Sequence, residues 1–373
     1  MRKTFKYKAR VNKNTEANFD RWLHLCRDLY NMALEQRITA YRYNHLHVSA
    51  YEQMKELPEL KEAFPEYKDV NSQALQQVIQ RLDLSYQAFF RRVKNGETPG
   101  FPRFKGRNRY DSFTLKQTGW RLDGRNLHVR NVGRFKLHLS RPVEGAIKTV
   151  TIRRAAGGSW YVCFSCDDVP EKGLPASDAQ VGIDVGISSF LVDSEGRSVD
   201  NPMHLAGSLK KLARRQRSLS RKKKGSSHRI KARVRVAKTH EKVSNQRLDF
   251  LHKTANYYVR NYGTVFIEDL KIRNMVKNRH LSKSISDAGW GTLFELLSYK
   301  AEEAGRLIVR VAPHGTSQNC SGCGVKVPKD LSVRVHKCDA CGLVMDRDLN
   351  AAINILRLGQ SLQAPTPSLE DVA

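Results

Sequence analysis

Three carboxylates in this 373-residue chain stand where metal-dependent phosphodiester chemistry would need them. Asp184 falls inside an apolar run, Val181-Gly-Ile-Asp-Val185, where a lone carboxylate is costly to bury without a partner. Glu268 closes a second apolar run, Val265-Phe-Ile-Glu268. Asp346 and Asp348 open a helical pattern that continues through Leu349-Asn-Ala-Ala-Ile-Asn-Ile-Leu356. If the two runs are neighbouring parallel strands, the first two acids meet and the helix start delivers a third. Clustered carboxylates repel, and hard divalent cations resolve that repulsion. Two such ions about 4 Å apart activate a water and stabilise the leaving oxygen of a phosphodiester. Each acid alone says little, since strand-end and helix-cap aspartates are common. The series strand, strand, helix start says much more. Asp269 and Asp346 compete for two of the roles.

The cysteines form a second set. Cys320-x-x-Cys323 and Cys338-x-x-Cys341, fourteen residues apart, have the spacing of a tetrahedral four-thiolate zinc ribbon. Gly322, Gly324 and Gly342 suit the tight turns beside such ligands. The total of seven cysteines is odd, and no export signal precedes them, which argues against a disulfide framework. His336 is expected to be a neighbour of the site rather than a ligand. Cys163 and Cys166 lie in a strand pattern, where positions three apart face opposite sides, and read as structural.

These groups must be positioned by folded elements, and the chain is long enough for two or three domains. Hydrophobic residues make up 40% and charged residues 27%, a globular balance that excludes a disordered or membrane protein. No apolar run reaches about 18 residues, so no membrane-spanning helix is expected. The start, Met1-Arg-Lys-Thr-Phe-Lys-Tyr-Lys8, reads as a strand rather than a signal peptide, and the expected compartment is the cytoplasm. Sixty-five Lys and Arg against 37 Asp and Glu leave a formal charge of +28. Self-repulsion on that scale calls for a polyanionic partner, and counterion release makes nucleic acid the natural one.

Residues 1–12 alternate and predict a strand. Phe19, Trp22, Leu23, Cys26, Leu29, Tyr30, Ala33 and Leu34 recur at helical spacing, as do Leu75, Val78, Ile79, Leu82, Tyr86, Phe89, Phe90 and Val93. Pro58 and Pro65 break the text between them into shorter helical pieces. Pro99, Gly100 and Pro102 end the helical segment. From about 110 to 168 short strand patterns predict a small barrel, which the first strand joins, making 15–105 an insertion. Arg103 and Lys105, interleaved with Phe101 and Phe104, suit a single-strand-binding surface, though a strand-entry loop explains them nearly as well. Residues 170–179 read as a linker. Between Lys210 and Lys242 stand 15 Lys or Arg and one acidic residue, Glu241. Like-charge repulsion destabilises such a helix or helical hairpin alone, so it is expected to order against phosphate. Lys210, Lys211, Arg214, Arg215, Arg221, Lys222 and Lys223 are its candidate nucleic-acid contacts. The tail after Leu358 is expected to be disordered.

Gly182-Ile-Asp-Val-Gly186, Ile267-Glu-Asp-Leu270, Thr316-Ser-Gln-Asn-Cys-Ser-Gly-Cys-Gly324 and Cys338-x-x-Cys-Gly-x-x-x-Asp-Arg-Asp-x-Asn-Ala-Ala352 together resemble the TnpB (OrfB) family. These are transposon-encoded, RNA-guided DNA endonucleases related to the type V CRISPR effectors. Pro99-Gly-Phe-Pro-Arg-Phe-Lys105, Ser112-Phe-Thr-Leu115 and Tyr30-Asn31 are softer points of likeness, and the resemblance covers nearly the whole chain. It implies an α/β multidomain protein: a wedge β-barrel (1–14 and 106–175) interrupted by a helical recognition domain (15–105), and an RNase H-like RuvC nuclease domain (178–313 and 345–358). A zinc ribbon that binds target nucleic acid (314–344) is inserted before the last RuvC helix, and 359–373 is tail. By position in the motif, the acidic triad falls on Asp184, Glu268 and Asp348, holding two Mg2+ ions, with one structural Zn2+ on Cys320, Cys323, Cys338 and Cys341. The implied partners are a guide RNA from the transposon end and target double-stranded DNA, cut beside a short flanking motif. The implied setting is a monomer in the bacterial or archaeal cytoplasm, associated with the nucleoid. Two other classes compete: a nuclease-silent RNA-guided repressor or transposition accessory protein, and a stand-alone transposase. The intact acids argue against the first, and the lack of a separate end-recognition domain against the second.

Overall fold

β1 (Lys3–Arg10) buries Phe5, Tyr7 and Ala9 and exposes the basic residues between them, the period of two that its sequence predicts. It lies inside a unit spanning Met1–Pro170; a second unit spans Glu171–Ala373. The structure, a computed structural model, describes residues 1–107, 109–330 and 333–363. After β1 come α1 (Lys13–Asn44), α2 (Ala50–Lys55), α3 (Leu57–Ala63) and α4 (Ser72–Lys94). Asn12 caps α1 by accepting the Thr15 N–H at 2.7 Å, and Asn71 caps α4 through the Gln73 N–H at 2.9 Å. The strands β2 (Ser112–Leu115), β3 (Trp120–Asp123), β4 (Asn126–Val129), β5 (Gly133–His138), β6 (Ala146–Arg154) and β7 (Trp160–Asp167) follow.

These strands form one antiparallel sheet in the order β2-β6-β7-β1-β5-β4-β3. β1 pairs with both β7 and β5, so residues 15–105 do interrupt the sheet in sequence. Among the described residues no ladder joins β2 to β3, and the expected barrel is an open sheet by hydrogen bonding. Among the described residues the helices share their core with this sheet. Phe19 of α1 stands 5.0 Å from Phe113 and 4.6 Å from Trp160, ring centre to ring centre, and a single buried cluster takes in helices and strands together. An apolar helix stripe and an apolar sheet face solve each other's exposure at once.

The second unit begins with β8 (Gln180–Val185), β9 (Ser189–Asp193) and β10 (Ser198–Asp200), followed by α5 (His204–Ser220), α6 (Ser227–Asn261) and β11 (Thr264–Glu268). Then come α7 (Ile272–Met275), α8 (Ser282–Ala288), α9 (Trp290–Ala304), β12 (Leu307–Val311), β13 (Val335–Lys337), β14 (Val344–Asp346) and α10 (Arg347–Gln363). Five strands form a mixed sheet, β10-β9-β8-β11-β12, antiparallel as far as β8 and parallel across β8, β11 and β12. A parallel neighbour needs a crossover, and α5 and α6 supply it between β8 and β11. Leu251, Ala255 and Tyr258 of α6 pack with Leu293 and Leu297 of α9 in one cluster, while Ile355 of α10 packs with Phe266 and Val311 in another.

α10 approaches β8 closely because Gly182 has no side chain. A Cβ there would collide with the Ala352 carbonyl and stand 2.6 Å from the Leu356 nitrogen. α10 also runs to Gln363, so residues 359–363, expected to be tail, are helical; residues 364–373 lie outside the described residues. Among the described residues no helix is long and apolar enough to cross a membrane.

Candidate metal centres

β8 and β11 run side by side with Ile183 opposite Ile267, so the next residues along, Asp184 and Glu268, share one end of the sheet. Asp348 comes to them from the first turn of α10. A Cβ on Gly186, just beyond β8, would lie 3.8 Å from Asp348 Oδ2. Glu268 and Asp348 are each only 8% exposed. Burial, and then the negative charges of Glu268 and Asp348, hold the Asp184 carboxyl well above the ordinary carboxylate range, against the pull of Arg347 and the Val185 N–H. Burial also raises Glu268, opposed by a 2.6 Å hydrogen bond that Thr316 Oγ1 donates to its Oε1. The negative charge of Glu268 and Asp348 beside buried Asp184 makes a compact cluster of carboxylate oxygens. Hard oxygen donors so clustered fit a divalent cation.

The competing acids have other work. Asp346 Oδ1 accepts the N–H groups of Asp348 and Leu349, at 2.8 and 3.1 Å, and so caps α10. Asp269 is half-buried and paired with Lys271 at 2.5 Å and Arg310 at 3.6 Å, which hold its carboxyl below the usual range. Sequence reasoning assigned no role to the two arginines at Asp348. Arg334 Nη1 donates to Oδ2 at 3.3 Å, and Arg347 donates to Oδ1 through Nε at 3.2 Å and Nη2 at 3.1 Å. Arg334 also reaches Ser188 Oγ at 2.5 Å.

The four cysteines converge as their spacing predicts, with all sulfurs within 4.8 Å of one another. Cys320 Sγ lies 3.6 Å from Cys341 Sγ, and Cys323 Sγ 3.6 Å from Cys338 Sγ. A tetrahedron of sulfurs about 2.3 Å from zinc has edges of about 3.8 Å, so the residues fit the ion. Burial raises the Cys320 thiol, but the N–H groups of Cys323 and Gly322, with His336 and Cys341, bring it down to about 6. The Leu343 N–H pulls the neighbouring Cys341 down, but the sulfurs of Cys320, Cys323 and Cys338, together with burial, push it up to about 12. Four thiolates this close need a cation between them.

Asn350, inside the Asp-x-Asn-Ala-Ala352 stretch, and Asn354 are not among the candidate site residues, yet they matter here. Both are buried on α10, four residues apart, and they hold the segment that leads into the ribbon. Asn350 accepts from the Ser321 N–H at 2.8 Å and donates to the Asn319 carbonyl at 2.8 Å; Asn354 donates to the Thr316 and Asn319 carbonyls at 2.8 and 2.7 Å. The sequence signal that could have found them is two asparagines on the apolar face of a helix, which burial obliges to find partners.

Of the expected nucleic-acid contacts, Lys210, Lys211, Arg214, Arg221, Lys222 and Lys223 are exposed on α5 and the turn after it, and Arg103 is exposed in its loop. Arg215 is not free in the same way. Its Nη1 donates to the Arg235 carbonyl at 2.8 Å and to Thr239 Oγ1 at 2.6 Å, tying α5 to α6. Lys105 holds its ammonium 5.1 Å from the Tyr30 ring centre, and its backbone exchanges two hydrogen bonds with Asn31.

Residues 164–279 match the OrfB_IS605 family, described as "Probable transposase", and residues 290–355 match the Cas12f1-like TNB domain. A Streptomyces pristinaespiralis protein assigned as an RNA-guided DNA endonuclease is 37% identical, over 98% of this chain and 91% of its own length. InsQ of Escherichia coli K12, with the same assignment, is 31% identical over 96% and 93%. A chain from the cryo-EM structure of a Cas12f1–sgRNA–target DNA complex shares the fold, with a TM-score of 0.58 at 17% identity, covering 91% of this chain and 82% of that one.

Proposed function

Because the chain belongs to the TnpB (OrfB) family of RNA-guided DNA endonucleases, we propose that it cuts DNA chosen by a bound guide RNA, using Asp184, Glu268 and Asp348. The observation that carries this reading is the meeting of three acids, from two adjacent parallel strands and a helix start, each buried or half-buried. The mixed five-stranded sheet, with the acids at one end of its parallel strands, supports an RNase H-like domain of the RuvC type. Asp184, Glu268 and Asp348 would hold Mg2+, which when bound would supply Lewis acidity at the phosphodiester. Thr316 donates to Glu268, and Arg347 and Arg334 donate to Asp348, so two guanidinium groups stand beside the acids where they could also meet a phosphate. Cys320, Cys323, Cys338 and Cys341 hold one structural zinc.

Base pairing between a guide RNA from the transposon end and one DNA strand supplies sequence specificity, and the protein reads a short flanking motif and the backbone of the heteroduplex. The exposed cations of α5 and its following turn give that backbone a basic track. The test is cleavage of a matched plasmid by the protein with its co-purified RNA. Asp184→Ala should abolish cutting and leave guided DNA binding measurable. Undiminished cutting by that variant would refute the assignment.

A further inference from the structure

The hydroxyl of Thr316 donates to the Glu268 carboxylate at 2.6 Å, and it comes from the chain that leads into the first cysteine pair. Thr316 is itself 4% exposed. Its carbonyl is taken by Asn354, which also takes the Asn319 carbonyl, and Asn350 holds the Asn319 carbonyl and the Ser321 N–H. Ser321 lies next to Cys320, one of the four converging sulfurs. Arg357, further along α10, donates to the Ser321 carbonyl. The same helix carries Asp348 in its first turn. One hydrogen-bonded path therefore runs from the ribbon's first knuckle to Glu268 on β11 and to the helix that presents Asp348.

We propose that Thr316 is a positioning residue for Glu268, held in turn by Asn354, so that the knuckle segment and the acid cluster are set as one unit. The inference rests on the nuclease reading of the three acids, but its own content is mechanical. A carboxylate at the end of a strand has free torsions. A short hydroxyl-to-carboxylate hydrogen bond from a buried, tethered residue selects one of them. Partners that orient a metal ligand typically change metal affinity or activity about ten- to a hundredfold when removed. Valine keeps the branched shape of threonine but removes the hydroxyl donor, so it isolates the hydrogen bond to Glu268.

The experiment uses the full-length protein with its bound guide RNA and Mn2+ as the probe, followed by the EPR signal of the free ion. Thr316→Val is expected to keep the zinc content and melting temperature and to weaken Mn2+ binding about ten- to a hundredfold, with cleavage falling in parallel. Thr316→Ser is expected to restore both. Asn354→Ala, which leaves the hydroxyl in place but frees the Thr316 carbonyl, is expected to keep zinc and to weaken Mn2+ binding by a smaller factor. Unchanged Mn2+ affinity in both Thr316→Val and Asn354→Ala overturns the proposal, and so does a serine variant as weak as the valine one. Cleavage is not the deciding readout. A wild-type complex that binds Mn2+ through this path without cutting matched DNA would sink the nuclease reading and leave the positioning role standing.

Discussion

The side chain of Asp346 accepts the backbone N–H of Asp348 at 2.8 Å, so one aspartate of the pair caps the helix that carries the other. This division of labour separates two residues that are chemically identical and nearly adjacent. The cap holds the first turn of α10, and the first turn holds Asp348 beside Asp184.

Asp348→Asn should therefore lower cleavage by a factor of about a hundred or more, on the order of an essential metal ligand, with the melting temperature little changed. Asp346→Asn keeps a capping oxygen and should cut nearly as the parent does. Asp346→Ala should cost about 1 kcal/mol of stability, read in a thermal melt. A dead Asp346→Asn beside an active Asp348→Asn would reverse the roles.

Asp184 offers a test by pH. Its folded pKa is raised, chiefly by burial and then by Glu268 and Asp348. A raised folded pKa means that its contribution to stability is complete below the ordinary carboxylate pKa and is lost as pH rises through the folded value. In EDTA, Asp184→Asn should thus melt above the parent at about pH 8, by about 2–4 °C for each kcal/mol relieved, and the gap should close toward about pH 4. Adding Mg2+ should raise the melting temperature of the parent and do little for the variant. A variant that melts below the parent at the higher pH would show that the cluster is not under charge strain.

The glycine in Gly182-Ile-Asp-Val-Gly186 is a packing requirement. With the Ala352 carbonyl in the way of a Cβ, Gly182→Ala must push α10 off β8. The expected result is a loss of roughly 1–3 kcal/mol, the usual cost of overpacking, and a larger drop in cleavage than in guide binding because Asp348 moves with the helix. Full activity with an unchanged melting temperature would contradict the close approach.

The basic hairpin separates two kinds of arginine and lysine. Lys222→Ala or Lys223→Ala should weaken nucleic-acid binding without changing the melt. Each should also reduce the slope of log affinity against log salt by about 0.7–0.9 for every phosphate no longer neutralised. Arg215→Ala should leave that slope nearly unchanged and instead loosen the hairpin, since its Nη1 serves the Arg235 carbonyl and Thr239. Equal effects on the salt slope from Arg215 and Lys222 would remove the distinction.

Much of this centre is legible in the residues alone, where covalent spacing does the positioning. Two Cys-x-x-Cys pairs bring their sulfurs together because each turn fixes its own two ligands, and the four do converge within 4.8 Å. Asp184 and Glu268 are readable because one lies within and the other closes an apolar run that reads as a buried strand, whereas the parallel pairing of β8 and β11 that brings them together is set by the fold. The charge of +28 points to a polyanionic partner from composition alone. What tertiary packing decided is everything that joins distant residues. Only the packed helix start separates the cap Asp346 from Asp348. Only the path of the chain carries Thr316 to Glu268, 48 residues away, and Arg334 to Asp348, 14 away. The helices of 15–105 look separable in sequence, yet Phe19 lies against Phe113 and Trp160 in a shared core. The physical reason is common to all of these. Periodicity and motif spacing record local geometry, whereas a buried polar group or an apolar face takes its partner from whichever surface the fold brings to it.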